Sequence, residues 1–88
     1  MDNNSILDDL LVILEKYDVK IRKDSMGGGS TGLCRIKDKC VLFMDTDSND
    51  YENAVSCANA LGENFDIESI YIKPQVRSFI EQNMEKKR

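Results

Sequence analysis

The sequence predicts an α+β domain built on a three- or four-stranded, mainly antiparallel sheet, in the order α-β-β-β-α-(β)-α. Three observations carry this. Apolar residues recur at helical spacing near both ends of the chain and after residue 50. Val19–Arg22 instead alternates apolar and charged side chains, and the short runs Leu33–Lys37 and Cys40–Met44 flank a turn, the patterns of strands. Capping residues and glycines mark the points where one period gives way to the other. At 88 residues the chain is read as a single domain spanning 1–88, with no repeat or dividing linker.

Ser5 is read as the first N-cap, with Asp8 three residues on in a near capping box. Ile6, Leu7, Leu10, Leu11, Ile13, Leu14 and Tyr17 form a wide helical stripe, and Asp18 breaks it. Val19 and Ile21 then alternate with Lys20 and Arg22, as in a strand with one wet face. The Gly27–Gly32 loop follows; it is costly to order and is expected to be mobile. The runs Leu33–Lys37 and Cys40–Met44 flank Asp38-Lys39 as a hairpin. A two-residue turn there pairs Ile36 with Val41, Cys34 with Phe43 and Leu33 with Met44. Cys34, Ile36, Val41 and Phe43 then share one face, expected beneath the helices together with Val19 and Ile21. Leu33, Arg35, Lys37, Cys40, Leu42 and Met44 share the other.

The stretch Asp45–Asp50 is rich in capping residues and opens a second helix. Its stripe is Tyr51, Ala54, Val55, Ala58 and Leu61, and Gly62 is the expected stop. Phe65 and Ile67 anchor a connector, and Ile70–Ile72 is a candidate fourth strand. Pro74 suits the first turn of a last helix, with Val76, Phe79, Ile80 and Met84 apolar.

The chemistry is bounded mainly by absences. The chain has no histidine, which removes Ser–His–Asp and Cys–His catalysis and histidine-based zinc sites. Cys34, Cys40 and Cys57 lack paired metal spacing and read as free thiols. No catalytic residue, cofactor or metal site is expected. The net charge of −4 argues against nucleic acid as a partner, because phosphate neutralisation supplies most non-specific affinity. No apolar run is long enough to cross a bilayer, and the acidic N-terminus is unlike a signal peptide, so the expected compartment is the cytoplasm.

Three local patterns suggest sites. The amides of the glycine loop could form an anion nest from Gly28, Gly29, Ser30, Thr31 and Gly32, with Arg35 as charge partner. The loop opens a strand and has no Lys-Ser/Thr pair, so it is not a P-loop. Asp45 and Asp47 after the apolar strand resemble the start of haloacid-dehalogenase-type phosphatases over about six residues, and Asn49 departs from that pattern. Asp45, Asp47 and Asn49 also match the first three ligand positions of a calcium loop, but Asp50 replaces its glycine and Ser56 its glutamate. A helix cap explains the same residues. The third pattern is the basic and apolar stripe Lys20, Arg22, Leu33, Arg35, Lys37, Leu42 and Met44, read as an outward sheet face that could receive a partner.

Over most of its length the chain resembles a small family of bacterial proteins that has no established activity. Gly27–Gly32, Leu33–Lys37, Cys40–Asp45 and Ile70–Arg77 carry the resemblance. More remotely, the hairpin and the helix after Asp50 resemble the zinc peptidases that cleave phage-type repressors. Their His-Glu-x-x-His is absent from Asn53–Ala60, and Glu52 alone does not hold zinc tightly, so the resemblance implies packing without the chemistry. The sequence therefore points first to a non-enzymatic interaction or regulatory module, with an unknown protein partner or a homodimer on the outer sheet face. A small anionic ligand at the glycine loop and a non-catalytic relative of the peptidase fold are the alternatives.

Overall fold

A computed structural model describes residues 2–25, 27 and 31–85, without the side chains of 84 and 85. Of the predicted glycine-loop residues, Gly28, Gly29 and Ser30 lie outside this set, as does the Met84 side chain. The α+β architecture is as expected, with one mixed sheet and three α-helices. Helix α1 spans Asn3–Lys16, and Ile6, Leu7, Leu10, Ile13 and Leu14 are its buried stripe. Its N-cap is Asp2 rather than Ser5. The Asp2 carboxylate accepts the Ser5 amide at 2.8 Å, which fills a donor that the first helical turn leaves without a partner. That bond holds the Asp2 pKa below its ordinary value. Asp18 ends the helix in the left-handed region at φ 65°, where its amide and that of Val19 close back on Glu15 and Leu14.

Three strands follow: β1 (Lys20–Asp24), β2 (Gly32–Ile36) and β3 (Lys39–Asp45). Their order in the sheet is β1-β3-β2. β2 and β3 are antiparallel, whereas β1 and β3 are parallel, so the sheet is mixed and not purely antiparallel. β3, last of the three in sequence, takes the central place. The hairpin turn is Lys37-Asp38 rather than Asp38-Lys39. Lys37 accepts φ 57°, and the pairs become Ile36 with Lys39, Cys34 with Val41 and Leu33 with Leu42. The partners slide by two positions, so each residue keeps its face.

Which face is covered is the main correction. Parallel pairing sets Ile21 beside Leu42, so β1 joins the set that contains Leu33, Leu42 and Met44. That set packs under the helices. Leu42 is fully buried, Met44 is buried, and Leu33, Cys40 and Ile21 are half-buried against the same core. Cys34 and Ile36 are exposed on the opposite face, and Phe43 is half-buried there. Both sets are about equally apolar, so alternation alone does not say which faces inward. The register of β1 decides it.

Helix α2 spans Asp50–Asn64, and its N-cap Asn49 accepts the Glu52 amide at 2.8 Å. It continues through Gly62 to a cap at Phe65, whose ring stacks on Tyr17 at 4.6 Å and holds the last turn. A 3-10 turn at Ile67–Ser69 follows. Residues 70–72 form no strand; Ile72 reaches the core from an extended connector. Helix α3 (Pro74–Glu85) packs on α2 and α1, with Val76 and Ile80 fully or almost fully buried. All three helices therefore serve one side of the sheet. Leu10, Leu14, Leu42, Leu61 and Ile80 lie at the centre, each worth roughly 1.5–3 kcal/mol of burial.

Cys57 sits inside α2 at 0% exposure, and burial pushes its thiol up to about 12. The thiol form is favoured by folding, so the stabilisation is full below pH 9, the ordinary value, and is lost as pH rises toward 12. The expected slope is at most about 1.4 kcal/mol per pH unit in that window. Denaturant titrations at increasing pH check this: the alkaline loss should shrink in Cys57→Ala. An equal loss in both proteins would assign it to other groups.

Candidate functional site: the open face of the sheet

The face away from the helices is built by three strands in register. Lys20, Val41 and Cys34 form one row across β1, β3 and β2, and Arg22, Phe43 and Gly32 form the next. Ile36 and Lys39 pair at the turn end. The result is an apolar track of Ile36, Val41 and Phe43, bordered on β1 by Lys20 and Arg22. Ile36 is 52% exposed, whereas Val41 is covered by its neighbours. Gly32 leaves the flank of Phe43 open, since a Cβ there would meet nothing within 4 Å.

Charge separates along the fold. Residues 19–44 hold six Lys or Arg against Asp24 and Asp38, a net of +4. The whole chain carries −4, so the remainder carries −8. The ion pairs among the described residues join Lys73 to Asp9 and Arg77 to Glu68, both away from the sheet. The exposed cations of the sheet are thus held toward solvent rather than spent on internal pairs.

Of the stripe predicted from sequence, Lys20 and Arg22 lie on this open face. Leu33, Leu42 and Met44 lie on the covered side. Arg35 is exposed at the turn end of β2, opposite Cys40, and Lys37 is in the turn itself. Lys39, read from sequence as a turn residue, joins the face beside Ile36, and the residues that replace the three buried ones are Ile36, Val41 and Phe43. Their signal was present as the second apolar set of the same strands.

Thr31 and Gly32, the described end of the glycine loop beside β2, meet a different environment. A cavity of about 220 Å³ lies between Thr31–Leu33 and α2, and Glu63 is the charged residue that lines it. Arg35 is not among its lining residues.

Thr31 has a structural task that its sequence position did not reveal. Its hydroxyl donates to Asn53 Oδ1 at 2.6 Å and accepts the Asp45 amide at 2.9 Å. Asn53 Nδ2 donates to the Asp45 carbonyl at 3.0 Å. Asp45, at 0% exposure, folds its carboxylate back onto the Asp47 amide and the Ser48 hydroxyl. Asp47 in turn accepts from Ser25 and from the Gly27 amide. The acidic stretch therefore ties the end of β3 to the loop and to α2, which accounts for the residues that suggested a calcium loop or a phosphatase. Among the described residues no group of three or more Cys, Asp or Glu is placed to hold a metal ion. Cys34 and Cys40 stand on opposite faces, and Cys57 is inside α2.

No protein-family model, no curated protein and no solved structure matches the chain. No helix among the described residues is long and apolar enough to cross a membrane.

Proposed function

We propose that this protein is a non-enzymatic interaction module that docks a partner protein on the open face of its sheet. The observation that carries this reading is a sheet with helices on one side only among the described residues. Its other side exposes Ile36 and part of Phe43 beside Lys20, Arg22 and Lys39. Apolar side chains framed by charge are the usual composition of a docking surface, and a lone sheet face gains stability when its apolar track is covered. The acidic network at Asp45 is consumed by internal hydrogen bonds, which weighs against a catalytic reading of it.

Site-specific photo-crosslinking in the native cell tests the proposal. A photoreactive residue at position 36 should give a discrete protein adduct. One at Tyr51, which is 44% exposed on α2, should not. The same adduct pattern at both positions, or none at 36, would remove the open face as the docking surface.

A further inference from the structure

We infer that the partner element on the open face is an amphipathic helix whose apolar stripe is bordered by carboxylates. This rests on reading that face as a docking surface, and three features of the face select the occupant. First, the centre of the face presents side chains and no free backbone pairing groups, because the central strand β3 is laddered on both sides and the free groups of the sheet lie along the outer edges of β1 and β2. An extended segment laid on it would bury its own amides and carbonyls without partners, whereas a helix brings its backbone bonds with it. The covered side of the same sheet already shows the solution, with α1 and α2 across it.

Second, the spacing fits. Lys20 and Arg22 are two residues apart on β1, roughly 6.6 Å along the strand. Carboxylates at i and i+4 of a helix are separated by about 6 Å along its axis. One helix border can therefore meet both cations while its apolar stripe lies over Ile36, Val41 and Phe43. Third, the sign fits. On this face the exposed cations Lys20, Arg22 and Lys39 outnumber the one exposed carboxylate among the described residues, Asp24. Two copies packed sheet to sheet would oppose like charges, which disfavours a symmetric homodimer through this face.

Synthetic helical peptides test the inference. The first has a leucine stripe bordered by glutamates at i and i+4. The second is a scramble of the same composition, and the third replaces its glutamates with lysines. Binding is followed by NMR on the intact protein, together with a single-stranded oligonucleotide and the protein alone at rising concentration. The acidic amphipathic peptide should bind and shift the signals of Ile36, Val41 and Phe43. Its affinity should fall by about tenfold or more in Lys20→Glu with Arg22→Glu, as for opposite-charge contacts at an interface. That charge-reversed variant should then accept the lysine peptide. Equal binding of the scramble, preference for the lysine peptide, or absence of peptide binding would overturn the acidic helix as occupant. So would the oligonucleotide or a second copy taking the same face. Crosslinking at position 36 that succeeds while these peptides fail would leave the docking surface standing and remove only the acidic helix.

Discussion

Lysine at both Leu42 and Met44 should abolish cooperative folding, whereas lysine at both Ile36 and Phe43 should leave the domain folded. The two pairs sit on the same hairpin, yet they face opposite ways. Leu42 is at 0% exposure and Met44 at 7%, both inside the cluster shared by α1, α2 and α3. Removing them forfeits roughly 1.5–3 kcal/mol of burial each, and the two new ammonium groups have no partner in an apolar core. The sum is comparable with the whole stability of a small domain, about 5–15 kcal/mol. Ile36 is more than half exposed and Phe43 is half-buried, so their replacement should cost about 1–2 kcal/mol. Urea unfolding followed by circular dichroism separates the variants. A folded Leu42→Lys, Met44→Lys protein beside an unfolded Ile36→Lys, Phe43→Lys protein would mean that the helices cover the other face.

The same pair of faces shows how far the sequence could be read. Strand alternation sorted Cys34, Ile36, Val41 and Phe43 from Leu33, Leu42 and Met44 correctly, because side-chain parity survives a hairpin that slides by two positions. It did not say which set lies under the helices, because both are apolar. That information resides in the parallel register of β1 on β3, a long-range pairing with no local signature. Helix stripes were legible for the opposite reason. Leu10, Leu14, Leu61, Val76 and Ile80 repeat at a spacing that only one helix face satisfies. Helix ends were less legible. Gly62 reads locally as a stop, yet the Phe65–Tyr17 stack carries α2 past it. The cations of the candidate face, Lys20 and Arg22, were found from sequence because they alternate with Ile21. The apolar half of that face was assigned to the wrong side together with the rest of its strand set.

Asn53 is where a single substitution should do most damage outside the apolar core. It is 3% exposed on α2, and its amide joins three segments: the Asp45 carbonyl of β3, the Ser48 carbonyl of the turn and the Thr31 hydroxyl before β2. Asn53→Ala removes the donor to the Asp45 carbonyl and the acceptor of the Thr31 hydroxyl at a part-buried site, and each lost bond costs about 1–3 kcal/mol. A loss of roughly 2–4 kcal/mol is expected. Thr31→Val removes the acceptor of the Asp45 amide and should cost about 1–3 kcal/mol by the same reasoning. Because the two side chains share one hydrogen bond, the double variant should lose less than the sum of the single losses. Asn53→Asp keeps an acceptor for Thr31 but turns the donor to Asp45 into a carboxylate that faces two carbonyls. It should be at least as unstable as Asn53→Ala at neutral pH. Its new carboxyl should have a raised pKa in the folded state, so it should recover stability as pH falls and protonation restores a donor. Chemical denaturation of the four proteins at neutral and mildly acidic pH reads all of these. Additive losses, or an Asn53→Asp variant as stable as the parent at neutral pH, would show that the network at the end of β3 does not hold the loop, the strand and the helix together.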